Sequence, residues 1–429
     1  MRGGERRRTL AHMFASPQDR LRERLRQALT QPLRRAPEFD RSVTERDGLL
    51  GLGGRWFETP AGPGYVIESV YDGGYCHGEV SVVRARALPL ERLARQVRDE
   101  RLAALRPEEL CFIDTETTGL GGAGAMVFLC GVARFEGARL VLRQYLLPGP
   151  EYEGALLGGL EAELESAGGL VSYNGKAFDI PALETRYVLA RQRPRLRELP
   201  HLDLLHPNRR LFRGAFVSHR LAAVERELLG FERGEDCPSA EVPERYREFA
   251  LTGDPTHIQP VLRHNAWDVL SLVALAARLG ATCDDPDQPL QAARAADYAG
   301  EWAEAAARYE AALAGGLPRA LRLEALEKAA RAHARAGEFG RAAACWEALL
   351  GEPRARRVAP FVELAKLREW RLGDRAGALR LMEDAVALAE QGLLRPGSGE
   401  YGLERMRARL ERLRRREGLA RLARGARCP

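Results

Sequence analysis

The chain has 429 residues, 66 Lys and Arg against 60 Asp and Glu, and is 45% hydrophobic and 29% charged. That balance suits packed cores and excludes a collagen-like, disordered or small disulfide-stapled chain; the length suits two or three globular units at roughly 100 to 200 residues each. Charge is uneven: residues 1–45 carry 11 Arg against six acids and residues 403–429 carry 10 Arg against three, so the span between is net acidic. Arg-rich ends suit a polyanion partner, because neutralised phosphates release counterions, and equally suit solvated amphipathic helices.

Residues 1–45 form a basic segment in which Leu21, Leu25 and Leu29 recur at i+4, predicting an amphipathic helix over 19–33 that stops near Pro32. No secretory signal is read there, and no run of about 18 apolar residues occurs anywhere, so a cytoplasmic protein with no membrane span is expected. Residues 46–106 are a strand- and turn-rich lead-in, with Tyr65-Val66-Ile67 and Val82-Val83 among glycines; His77 reads as a structural hydrogen bonder, and residues 90–105 as a helix. Residues 107–282 alternate: a strand at 110–113, strands at 126–135 and 140–147, a helix at 154–167 and a strand at 170–173, the pattern of an α/β domain with a mixed sheet. Seven scattered cysteines without a CxxC pair predict reduced thiols rather than a zinc knuckle or disulfides.

Beyond a polar linker at 284–287, residues 288–400 turn Ala-rich and helical, with Gly300-Glu301-Trp302, Gly337-Glu338-Phe339 and Gly373-Asp374-Arg375 each followed by Ala at 305, 342 and 378. This near-constant spacing resembles tetratricopeptide repeats, whose period is about 34 residues. An ordinary helical bundle would share the all-α architecture without a groove. Residues 401–429 read as an Arg-rich C-terminal helix.

Three motifs carry chemistry. In Phe112-Ile113-Asp114-Thr115-Glu116-Thr117-Thr118-Gly119-Leu120 an apolar strand ends in acids at i and i+2, which project from one face and can meet one cation. In Tyr173-Asn174-Gly175-Lys176-Ala177-Phe178-Asp179 a strand turns into a helix and leaves Asp179 near the helix start, where an acid also suits the helix dipole. In His264-Asn265-Ala266-Trp267-Asp268, opening a further helix, His264 and Asp268 share a face at i and i+4. Each motif alone has an ordinary structural explanation, but their order together does not. Four carboxylates select hard cations, so two Mg²⁺ or Mn²⁺ ions are expected, a pair that at about 3.5 to 4 Å suits phosphodiester hydrolysis.

With Asp114–Leu120, Tyr173–Asp179, His201-Leu202-Asp203-Leu204-Leu205-His206 and His264–Leu272, the chain resembles the DEDD, or DnaQ-like, 3′–5′ exonucleases of ribonuclease H-like fold, and more closely the YprB family, an exonuclease-like domain followed by tetratricopeptide repeats. The resemblance implies a ribonuclease H-like mixed sheet flanked by helices, then an all-α repeat domain. It implies that Asp114 bridges two ions, that Glu116 and Asp268 complete the tighter site, and that Asp179 holds the second ion. His264 stands four residues before Asp268, where one branch of the superfamily has Tyr; the other branch has His five before, where this chain has Arg263. As a general base it would act near a reference pKa of about 6.5.

Leu120 falls where related exonucleases place an apolar wedge against the terminal base, or is a core residue beneath the turn. Asn174 contacts substrate or shapes its turn. Eight Arg and two acids between 191 and 220 form a basic tract beside the site, in which Arg209, Arg210 and Arg213 are the best phosphate-binding candidates; Asp203 reads as a structural acid. The leading expectation is a two-metal 3′–5′ exonuclease of single-stranded nucleic acid, DNA before RNA. The alternatives are a structure-specific or RNA-processing nuclease with the same site, and a nucleic-acid-binding scaffold whose repeats recruit a protein.

Overall fold

The computed structural model describes residues 49, 51–119, 124–352 and 357–425. The basic segment 1–45 with its predicted helix, and Leu120, lie outside the described residues. The architecture is a mixed seven-stranded sheet with flanking helices, continued by a helical region.

The strands are β1 (Arg55–Thr59), β2 (Gly62–Tyr71), a short hairpin of β3 (Cys76–His77) and β4 (Val80–Ser81), β5 (Leu110–Thr117), β6 (Val127–Glu136), β7 (Arg139–Leu146), β8 (Gly169–Ser172) and β9 (His201–Asp203). The large sheet runs β1-β2-β7-β6-β5-β8-β9, with β5–β8 and β8–β9 parallel and the other pairs antiparallel. The sheet therefore reaches outside residues 107–282. The lead-in supplies its outer two strands, β2 pairing with β7 from Tyr65↔Leu146 to Tyr71↔Leu140.

Strand β5 is central and buried on both faces at Leu110, Cys111, Phe112 and Ile113, which is why it reads as a continuous apolar run rather than an alternation. Cys111 and Ile113 pack into the core beneath α2 (Glu153–Glu165) and α3 (Asp179–Leu189) with Leu157, Leu160 and Leu183, whereas Leu110 and Phe112 join Val269, Leu272 and Leu279. Each of the buried Leu, Ile, Phe and Val side chains contributes about 1.5–3 kcal/mol. The strand leaves the core as its polar residues begin, so Asp114 and Glu116 sit half-buried at its end.

Two predicted helices differ from expectation. The one beginning at Leu90 (α1, Leu90–Val97) stops because Arg98 adopts the left-handed conformation with φ 56°, and a short 3-10 turn follows, started by Asp99 accepting from the Arg101 amide at 3.3 Å. The helix carrying His264 does not open there: it runs from Pro255 to Thr282, started by Asp254 accepting from the Thr256 amide at 2.9 Å, with Pro255 at its first position. His264 and Asp268 are thus held mid-helix, a stiffer mounting than a first turn. After α4 (Leu205–Leu211) and α5 (Val242–Thr252), this long helix is α6.

The helical region comprises α7 (Pro289–Ala299), α8 (Trp302–Ala314), α9 (Arg319–Arg335), α10 (Phe339–Gly351), α11 (Val358–Trp370), α12 (Arg375–Glu390) and α13 (Leu403–Gly425). Each packs on the next in chain order. Gly300, Gly337 and Gly373 have φ of 84°, 83° and 71°, the left-handed turn that favours glycine, and Ala305, Ala342 and Ala378 that follow are each 0% exposed. None of the helices among the described residues is long and apolar enough to cross a membrane. Six cysteines are free thiols; Cys428 lies outside the described residues.

Candidate active site

The end of β5 gathers the acids. Asp114 lies opposite Gly131 on β6, where a Cβ would come within 2.3 Å of Asn265 Oδ1 and 2.8 Å of Val269. The bare glycine lets α6 approach the sheet, so that Asn265, itself 0% exposed, donates from Nδ2 to Asp114 Oδ2 at 2.9 Å. Asn265 Oδ1 in turn accepts from Gln144 at 2.9 Å. The same helix carries His264 immediately before Asn265 and Asp268 about one turn after it. His264 Nε2 lies 3.8 Å from Glu116 Oε1 and 3.5 Å from Asp268 Oδ2.

Asp179 arrives from the other side of β5. Its Oδ1 accepts from the Thr115 amide at 3.0 Å and from Thr115 Oγ1 at 2.7 Å, so the residue between the two strand acids ties the third acid to them. The chain reaches Asp179 through a turn in which Asn174 has φ 67°, a left-handed conformation that Asn tolerates better than most residues. Asp203, 1% exposed, accepts from the Asn174, Lys176 and Leu205 amides at 2.7, 3.2 and 3.1 Å and thereby pins that turn.

So much negative charge in so little water shifts its protonation. Burial, then the charges of Asp268, Asp179 and Glu116, raise the Asp114 carboxyl well above the ordinary carboxylate range, with the Asn265 hydrogen bond opposing. Burial and the Asp268 and Asp179 charges raise Glu116 likewise, against the pull of Arg233. Asp179 is pushed up to about 6 by burial, with the Thr115 hydrogen bonds opposing. Carboxylates forced together in this way fit a divalent cation, which would relieve both burial and repulsion. Ligand atoms of Glu116, His264 and Asp268 all lie within 4.8 Å of one another, so these three could hold one, which adds His264 to the carboxylates as a ligand candidate.

Sequence reasoning missed a second tier. Arg233, 8% exposed in its side chain, donates to Asp268, to both oxygens of Glu225 at 2.6 and 2.7 Å, and to Asp236 Oδ2 at 3.0 Å. Asp236 Oδ1 is 2.8 Å from His264 Nδ1. Burial works against the Arg233 charge, but the Glu225 hydrogen bonds and the Asp268 charge outweigh it and hold its pKa above the ordinary arginine value. Beneath them Ser271 Oγ donates to Glu225 Oε1 at 2.5 Å and meets His77 Nε2 at 2.7 Å. His77 is on the β3–β4 hairpin, whose Gly78 lies so close to Leu229 that a Cβ would sit 2.1 Å from the Leu229 carbonyl oxygen. Arg233 and Asp236 belong to an aperiodic polar stretch, residues 231–236, with no motif to mark them.

The basic tract is divided. Arg209 is exposed beside Tyr173, whose hydroxyl donates to the His219 carbonyl at 2.7 Å and accepts from Asn208 at 3.0 Å. Arg210, expected to bind phosphate, instead turns into the junction with the helical region. It donates to the Gln96 carbonyl at 2.9 Å and Oε1 at 3.0 Å, and its guanidinium stacks 3.2 Å from the Tyr298 ring centroid. Arg213 is likewise drawn to Glu324 at 2.5 Å, which also takes Arg294. Burial against an aromatic ring and a carbonyl satisfies Arg210 without any phosphate.

A family model described as RNase_H superfamily matches residues 111–280. A Bacillus subtilis (strain 168) protein named "Uncharacterized protein YprB" is 46% identical over 168 residues, which cover 39% of this chain and 40% of that relative, so the likeness spans less than half of either. Among solved structures, the family B DNA polymerase of the archaeon Pyrobaculum calidifontis is similar at 18% identity and a TM-score of 0.34, over 47% of this chain and 28% of that one. Residues 111–280, the span that matches the RNase_H superfamily model, contain the acids and histidine gathered at the end of β5.

Proposed function

We propose that the chain is a divalent-metal-dependent nuclease, and within that class a 3′–5′ exonuclease of single-stranded nucleic acid, DNA before RNA. The observation that carries this reading is the convergence of Asp114, Glu116, Asp179 and Asp268, with His264, on the end of one buried strand, in the span that matches the RNase_H superfamily model. Asp114, Glu116 and Asp268 would hold one Mg²⁺ or Mn²⁺ and Asp114 with Asp179 a second. When bound, such ions supply charge neutralisation at the attacking and leaving oxygens. His264, with Nε2 turned to Glu116 and Asp268, would accept the proton of the attacking water. Phe178, 63% exposed and next to Asp179, offers an open ring face on which a terminal base can stack. Exposed Lys176 and Arg209 stand beside the same turn and suit phosphate oxygens. Asn174 would act mainly by setting the angle of that turn.

The test is degradation of end-labelled single- and double-stranded DNA and RNA with Mg²⁺, Mn²⁺ or EDTA, alongside a circular single strand. Nucleoside monophosphates should appear from linear 3′ ends, none with EDTA and none from the circle. Full activity in purified Asp114→Ala would overturn the catalytic reading; cutting of the circle would convert it to an endonuclease.

A further inference from the structure

Two residues outside the acid cluster govern which nitrogen of His264 carries its proton. We infer that Asp236, braced by Arg233, is a positioning residue that fixes the His264 proton on Nδ1 and keeps the Nε2 lone pair facing Glu116 and Asp268. The use of this arrangement rests on the nuclease reading above; the arrangement itself does not.

The argument is one of donors and acceptors. A neutral imidazole has one N–H and one lone pair, a carboxylate only accepts, and a guanidinium only donates. Asp236 presents one oxygen to each neighbour: Oδ1 at 2.8 Å from His264 Nδ1, and Oδ2 accepting from Arg233 Nη1 at 3.0 Å. The 2.8 Å contact is a full hydrogen bond, whereas Nε2 stands 3.8 Å from Glu116 and 3.5 Å from Asp268, at or beyond the useful limit. Arg233 Nη1 also approaches Nδ1, at 3.2 Å, but it already donates to Asp236, and the shorter, charge-assisted contact with the carboxylate places the proton on Nδ1. His264 is 7% exposed, so water does not compete strongly for that choice.

Arg233 cannot drift to another arrangement. Its Nε and Nη2 fork onto the two oxygens of Glu225, which is 0% exposed and is itself held by Ser271. That fork sets the plane of the guanidinium. Nη1 is then aimed at Asp236, and Nη2 reaches Asp268 on the oxygen opposite the one that faces His264. The same guanidinium thus orients both the carboxylate behind the imidazole and the carboxylate in front of it.

Removing Asp236 has a specific consequence. Nδ1 would be left with Arg233 Nη1, 3.2 Å away, as its neighbour. A guanidinium N–H can only donate, so Nδ1 would become the acceptor and the proton would move to Nε2. The nitrogen facing the acids would then be blocked as either base or ligand. Asp236 has a side chain 23% exposed, and Arg233 keeps Glu225 and Asp268 without it, so the fold survives the change.

The experiment is ¹⁵N spectroscopy of the full chain labelled at its eight histidines, with saturating Mg²⁺ and at a pH where imidazoles are neutral. The His264 signals are assigned by their loss in His264→Gln. In the parent, the unprotonated, downfield nitrogen should be Nε2; in Asp236→Ala it should be Nδ1. A parent with its proton on Nε2 overturns the inference without recourse to any variant, and so does an Asp236→Ala spectrum with the parent's tautomer. In the nuclease assay, Asp236→Ala should lower kcat at least ten-fold with KM little changed. A chain with the expected spectra but no nuclease activity would refute the proposed function and leave the proton assignment standing.

Discussion

Replacing Asp179 by Asn separates the cost of the acid cluster from its geometry. Asn keeps an oxygen for the Thr115 amide and hydroxyl, which Asp179 now accepts at 3.0 and 2.7 Å, but it removes the charge. The carboxyl sits at about 6 in the fold, raised chiefly by burial from its ordinary 3.8, and the side chain is 8% exposed. Because the pKa is raised, the fold disfavours the charged form. The penalty is complete above about pH 6 and disappears as the pH falls through the unfolded value. At about 1.4 kcal/mol for each pH unit between the two values, the penalty is about 3 kcal/mol at pH 8 and about 1 kcal/mol at pH 4.5. Asp179→Asn should therefore be more stable than the parent by about those amounts in EDTA, read from urea midpoints and slopes. Saturating Mg²⁺ should stabilise the parent and close most of the gap. A variant no more stable than the parent at pH 8, or a gain of equal size at both pH values, would refute the reasoning.

Phe178→Ala should weaken binding of a single-stranded oligonucleotide by about 1–3 kcal/mol in fluorescence anisotropy, with an unchanged far-ultraviolet spectrum because the ring is 63% exposed. Arg209→Ala should lower the slope of log affinity against log salt by about 1. Arg210→Ala should leave that slope alone and lower the urea midpoint, since its partners are Gln96 and Tyr298. Gly78→Ala should destabilise the fold by about 2 kcal/mol or more, because φ is +60° and the added carbon would sit 2.1 Å from the Leu229 carbonyl oxygen; an unaltered urea midpoint would contradict the docking of that hairpin.

The parts of this architecture that follow local rules were legible in the chain. Strand β5 announces itself by its apolar run, and the period of two places Asp114 and Glu116 on one side. The i, i+4 relation of His264 and Asp268 survives even though their helix begins nine residues before His264, at Pro255. What could not be read depends on contacts between distant segments. The partnership of β2 with β7 is a long-range pairing, and Gly131 gains its meaning only when Asn265 packs over it. Arg210 looked like its neighbour Arg209 because nothing local records that Tyr298 will lie under its guanidinium. Arg233 and Asp236 sit in an irregular stretch where no periodicity exists to be read. Asp203, by contrast, read as structural, and three backbone amides converge on it.

The outer strands contributed by the lead-in bear on how the protein can be cut. A fragment trimmed to residues 111–280 would lose β1 and β2 and leave β7 paired with β6 alone, exposing along its outer edge, from Leu140 to Leu146, a bare row of amides and carbonyls flanked by Leu140, Leu142 and Leu146. Such an edge recruits any extended chain it meets, including its own copies. Expression of the isolated segment should favour inclusion bodies, and a fragment begun at residue 49 should stay dispersed.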